Sequence, residues 1–126
     1  MNKKFYGNVG YLEDTDFSDT SLLESRGNQK SYVVFIFSSG CHFCVEAFPE
    51  FDKFATSMAE STEVCVRCIQ ADGERDSEKR LGGRLRNIIK GFRGFPTIVI
   101  FRDGKHIDTH KGDRTESGFR KFVEKV

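Results

Sequence analysis

Residues 32–44 read YVVFIFSSGCHFC, and the fold turns on how that stretch divides. Residues 32–37 form an apolar run, β-branched and aromatic, with no polar alternation. A run of this kind reads as a central strand buried on both faces. It delivers the chain straight into two cysteines, Cys41 and Cys44. Beyond them Cys44, Ala47, Phe48, Phe51, Phe54, Ala55 and Met58 recur at helical spacing, with Pro49 expected to interrupt the helix.

Working outward, NVGYL (8–12) is a short strand candidate, and DFSDTSLLESRG (16–27) reads as a helix with acidic and hydroxyl residues at its start and Gly27 at its end. EVCVRCIQAD (63–72) is a second buried strand and PTIVIF (96–101) a third. RDG (102–104) turns into KHIDTH (105–110), which fits a hairpin, and residues 116–126 form a closing amphipathic helix. Strands first separated by helices and later joined by a hairpin predict an α/β fold with a mixed sheet. Without an internal repeat or low-complexity linker, the expected organisation is one domain over residues 1–126.

Composition narrows the classes further. A net charge of +1, with 31% charged residues, argues against a protein whose main partner is a polyanion, so nucleic acid is not an expected partner. Thirteen phenylalanines and no tryptophan predict a Phe-packed core. No apolar run approaches bilayer length. The first residues hold two lysines but no apolar stretch after them, so no signal peptide is read and the default expectation is a cytoplasmic protein. A trimmed chain of secretory-pathway origin would read the same.

The four cysteines admit two chemistries. Cys41, Cys44, Cys65 and Cys68 give C-x2-C-x20-C-x2-C, at the edge of four-thiolate zinc spacing. Cys65 and Cys68, however, lie inside a predicted strand, where residues three apart point to opposite faces. They read as small buried apolar side chains, and no metal site is expected. Cys41 and Cys44 fall where a strand ends and a helix begins. The first thiol then sits at a helix N-terminus, where unpaired N–H groups and the helix dipole favour a thiolate. The second lies one turn inside. Cys41 is the expected attacking thiol and Cys44 the resolving one. No cofactor is needed beyond that redox-active pair.

These features together resemble the thioredoxin superfamily, closest to its thioredoxin and protein disulfide isomerase branch. The matching residues run in order: YVVFIF followed by CxxC, Pro49 five residues after Cys44, RGFPTIVIFRDGK (93–105), and KGDRTESGFRKFV (111–123) with Gly112. The resemblance implies a thioredoxin-like fold, a central mixed sheet with helices on both faces. It implies that Pro96 is cis and faces the CxxC, and that Phe95 before it presents its backbone to a substrate backbone. Phe95 and Pro96 are thus the substrate-binding candidates. Arg114 resembles an arginine of the isomerase branch that approaches the resolving cysteine. Two positions depart from the family. Phe35 stands where a buried acid usually sits, and Gly40 where tryptophan is common.

Inside the motif, His42 follows the first cysteine and Phe43 precedes the second. A protonated His42 would stabilise the Cys41 thiolate and make the disulfide more oxidising. His42, Phe43 and Arg114 are therefore the tuning candidates. Between Asp72 and GFPT (94–97) the chain is longer than the family pattern by roughly a helical turn or two. Residues 79–93 hold six basic side chains and no acid. Leu81, Leu85, Ile88, Ile89 and Phe92 share one helical face, so the cations form its solvated side or a docking surface, and Gly82 and Gly83 are expected to break the helix early. The leading expectation is a monomeric thiol–disulfide oxidoreductase. Its partners would be dithiol- or disulfide-containing proteins and a thiol reductant or oxidant. The alternative is a non-catalytic binding adaptor that docks through 79–93.

Overall fold

A computed structural model describes residues 9–125. Residue 8 of the first strand candidate and residue 126 of the closing helix lie outside the described residues. Among the described residues five strands form one mixed sheet: β1 (Gly10–Tyr11), β4 (Ser31–Phe37), β5 (Val64–Gln70), β6 (Thr97–Arg102) and β7 (Lys105–Thr109). Their order is β1-β5-β4-β6-β7, and a separate hairpin pairs β2 (Phe17–Ser18) with β3 (Ser21–Leu22). β4 runs parallel to β5 and antiparallel to β6. Among the described residues three helices complete the fold: α1 (His42–Ser57), α2 (Asp76–Ile88) and α3 (Glu116–Glu124).

The unbroken apolar run of β4 has a direct structural cause. Val33, Phe35 and Phe37 enter one core with Phe48, Phe51 and Phe54 of α1 and Phe119 and Phe122 of α3. Tyr32, Val34 and Ile36 enter the other with Leu81, Leu85 and Ile88 of α2. Both faces of the strand are covered, so both sets of alternating side chains are apolar.

The segment read as a helix over 16–27 is instead the β2–β3 hairpin flanked by two 3-10 turns, Asp14–Asp16 and Leu23–Ser25. Phe17 pairs with Leu22 across the hairpin, and both are buried in the α2-side core. Asp19 takes the turn at φ 51°, a conformation Asp tolerates better than most residues. The hydroxyls that resembled helix caps serve tertiary contacts: Ser25 Oγ donates to Leu22 O at 2.9 Å and accepts from Gly104 N–H at 2.7 Å.

Pro49 does not interrupt α1, which continues through it to Ser57. The proline is exposed, on the solvent side of the helix, where loss of one backbone bond costs least. The β6–β7 hairpin turns through Asp103 at φ 48° and Gly104 at φ 85°, the left-handed pair that a two-residue turn requires.

Gly82 and Gly83 do not break α2 either; the helix runs through both. A Cβ on Gly82 would lie 2.2 Å from the backbone oxygen of Ala71, whereas one on Gly83 would meet open space. Gly82 is therefore where the helix closes onto the end of β5. Gly83→Ala is expected to stabilise the fold by about 0.5–1 kcal/mol through helix propensity. Gly82→Ala is expected to destabilise it by about 1–3 kcal/mol, the forced shift of backbone outweighing that gain. Denaturant unfolding of the two variants checks both signs.

Candidate functional site

β4 ends at Phe37, and Ser38–Gly40 lead to Cys41, the N-cap of α1. Cys41 and Cys44 are joined by a disulfide with Cα atoms 5.2 Å apart. Cys41 Sγ also accepts a hydrogen bond from the Cys44 N–H at 3.1 Å. Cys41 is partly exposed, while Cys44 is fully buried in the α1-side core. One sulfur thus sits at the positive end of a helix with a backbone donor aimed at it, and the other lies beneath.

The loop before Cys41 is tied down by a residue that belongs to no motif. Asp72, just beyond β5, accepts from Ser39 N–H at 2.9 Å and from Ser39 Oγ at 2.6 Å. Burial alone would raise the Asp72 carboxyl, but the bonds from Ser39 and Gln70 outweigh it and hold the pKa below the usual carboxylate value. Because the folded pKa is depressed, this anchor stabilises above the unfolded Asp pKa of about 4 and is lost as pH falls through the lower folded value. Asp72→Ala is expected to lower Tm by on the order of 2–5 °C at neutral pH, the gap to the parent closing in acid. Parallel thermal scans across pH test this.

His42 is highly exposed, at 78% for its side chain, and its Nε2 lies 2.7 Å from Glu46 Oε1, one helical turn on. The ring therefore turns toward Glu46. Phe43 is 60% exposed and meets the His42 ring edge-on with centroids 6.0 Å apart. Arg114 is exposed in the connection between β7 and α3. Glu46 was invisible to motif reading, although an acid four residues after a helical histidine is a recognisable pairing signal.

The Phe95–Pro96 peptide bond is cis. Thr97 pairs with Ile36 of β4, so Pro96 lies at the end of the sheet where β4 delivers the chain toward Cys41. Phe95 is 37% exposed, and its ring packs against Phe92 with centroids 5.5 Å apart.

Phe35, at the position of the family's usual acid, is fully buried, with ring centroids 4.9 Å from Phe51, 5.8 Å from Phe48 and 6.0 Å from Phe37. Its neighbour on β5 is Cys68, also fully buried. Burial pushes the Cys68 thiol up to about 12, so it carries no thiolate at neutral pH. Cys65 packs on the opposite, α2-side core. The four sulfurs therefore do not converge: Cys41, Cys44 and Cys68 belong to one face of the sheet and Cys65 to the other.

A mixed five-strand sheet with a disulfide at the first turn of α1 and a cis-proline at the same sheet end defines a thioredoxin-fold domain. The chain belongs to the thioredoxin family, which it matches over residues 8–125. It is 31% identical over 118 residues to the thioredoxin-like protein 453L of Invertebrate iridescent virus 6, covering 86% of each chain. It is 29% identical over 115 residues to a protein disulfide-isomerase of Ricinus communis, covering 90% of this chain and 21% of that protein. The chain thus spans about a fifth of the plant enzyme's length. Among solved structures, the first two thioredoxin domains of Naumovozyma dairenensis Eps1p align with a TM-score of 0.71 at 21% identity, covering 99% of this chain and 42% of that one. At that identity the likeness speaks for the fold.

Proposed function

We propose that the chain is a thiol–disulfide oxidoreductase that exchanges disulfides with protein substrates through Cys41 and Cys44. The observation that carries this reading is the placement of the Cys41 sulfur. It is the N-cap of α1, partly exposed, takes the Cys44 N–H and is already bonded to a shielded partner.

In the reducing direction, the Cys41 thiolate attacks one sulfur of a substrate disulfide and the other sulfur leaves as a thiolate. The Cys44 thiol then loses its proton and attacks the Cys41 sulfur. The mixed disulfide breaks, the second substrate sulfur leaves as a thiolate, and Cys41–Cys44 is formed. Two electrons pass from the domain to the substrate, and the substrate thiolates take up protons. The oxidising direction is the same sequence reversed, and the redox potential of the surroundings decides between them. Phe95 and Pro96 would seat the substrate backbone beside Cys41, in the manner of a single-residue strand addition. His42 and Phe43 would tune the pair from the exposed first turn, and Arg114 would approach Cys44 from the β7–α3 connection.

One observation favours a second reading, a binding adaptor that keeps its cysteines without turning over. Phe35 leaves no carboxyl at the position that commonly serves proton transfer to the resolving thiol. Reduction of insulin by a dithiol donor separates the two readings. An oxidoreductase accelerates precipitation of the insulin B chain and Cys41→Ser removes the acceleration. Equal rates for the parent and the variant would leave the adaptor.

A further inference from the structure

The basic stretch 79–93 divides into two parts with different surroundings. In the first, Arg80 Nε lies 3.4 Å from Asp14 Oδ2, and Arg84 lies 2.5 Å from Asp14 Oδ1 and donates to Asp19 O at 2.6 Å. These arginines clasp the N-terminal segment against α2, sharing the single carboxylate of Asp14. In the second part, α2 has ended and the chain turns through Gly91 at φ 71°. Lys90 N–H donates to His106 Nδ1 of β7 at 3.2 Å, which sets the loop alongside the outermost strand of the sheet.

Between that loop and β7 lies a groove of about 600 Å³, lined among others by Lys90, Phe92, Arg93, Ile107, Asp108 and Lys111. Lys90, Arg93 and Lys111 are exposed. The groove's carboxylate, Asp108, accepts from the N–H of Thr109 at 2.8 Å. His106 also lines it, and burial lowers the pKa of its imidazole, so the ring is neutral at neutral pH. Three cations thus face one carboxylate in a chain whose net charge is only +1. Ile107, 41% exposed, and the half-buried Phe92 add apolar surface to the same walls. Phe92 touches Phe95, so the groove adjoins the Phe95–Pro96 end of the sheet.

We propose that this groove binds an extended acidic segment of a partner polypeptide, its carboxylates meeting Lys90, Arg93 and Lys111 and an apolar side chain resting on Phe92 and Ile107. Charge complementarity selects the acidic partner, and the apolar walls select a polypeptide. With Arg80 and Arg84 already occupied, three cations around one cavity make too short a basic track to follow a nucleic-acid backbone. The proposal concerns binding alone and stands whether or not the cysteines turn over.

Fluorescence anisotropy tests it with the full chain and a labelled, cysteine-free peptide of glutamates around a central leucine. The expected result is saturable binding at low ionic strength that weakens with salt. The double variant Lys90→Glu/Arg93→Glu should lose about tenfold or more in affinity. Arg86→Glu, exposed on α2 outside the groove, should change it by less than about twofold. Three results would overturn the proposal: no saturable binding, the same loss for Arg86→Glu as for the double variant, or tighter binding of duplex DNA than of the peptide. Because the probe has no sulfur, its outcome is separate from that of the insulin assay.

Discussion

Cys44→Ser is expected to accumulate a covalent complex with a disulfide-containing substrate, and Cys41→Ser to accumulate none. The asymmetry follows from burial. A substrate sulfur reaches only the partly exposed Cys41, since Cys44 is fully buried beneath it. Removing Cys44 leaves attack intact and takes away the group that ends the mixed disulfide. Removing Cys41 takes away attack itself, and neither remaining cysteine of β5 substitutes for it. Cys68 is buried with its thiol pushed up to about 12, and Cys65 lies on the other face of the sheet. Non-reducing electrophoresis after mixing with a substrate reads the complex, and added dithiothreitol should release it.

Phe51→Ala is expected to destabilise the fold by about 3–5 kcal/mol, a fall in Tm on the order of 10–20 °C. Phe51 is fully buried at the meeting point of three elements. Its ring lies 4.9 Å from Phe35 of β4, 5.8 Å from Phe54 within α1 and 5.4 Å from Phe119 of α3. Truncation opens a cavity that no single neighbour can close, so the loss includes both transfer and packing. Phe43→Ala removes the same ring from a 60% exposed position and should shift stability by less than about 0.5 kcal/mol. Chemical denaturation of the two variants makes the comparison.

The elements that were legible in advance are those whose pattern has one physical cause. β4 read clearly because burial on both faces removes alternation, and α1 because its apolar positions keep helical spacing past Pro49. The opposite facing of Cys65 and Cys68 followed from strand geometry alone. The hairpin at 17–22 was hidden because its strands are two residues each, too short to show a period, and its hydroxyls and acids imitate helix caps. Gly82 misled because a glycine inside a helical pattern signals a break unless one knows which backbone approaches it. In the site, Cys41 and Cys44 were readable from position. The Ser39–Asp72 clasp was not, since it joins an exposed polar residue to a partner that only the folded backbone brings close; the His42–Glu46 pair carried the i,i+4 signal but lay outside any motif.

If Cys41 and Cys44 act as one redox pair, equilibrating the protein across glutathione buffers, trapping free thiols by alkylation and locating them by peptide mass will reveal it. The expected result is a single reversible transition in which both thiols appear and disappear together, with Cys68 in the same state throughout. A pair that stays in one state across the range, or two cysteines that titrate independently, would contradict it.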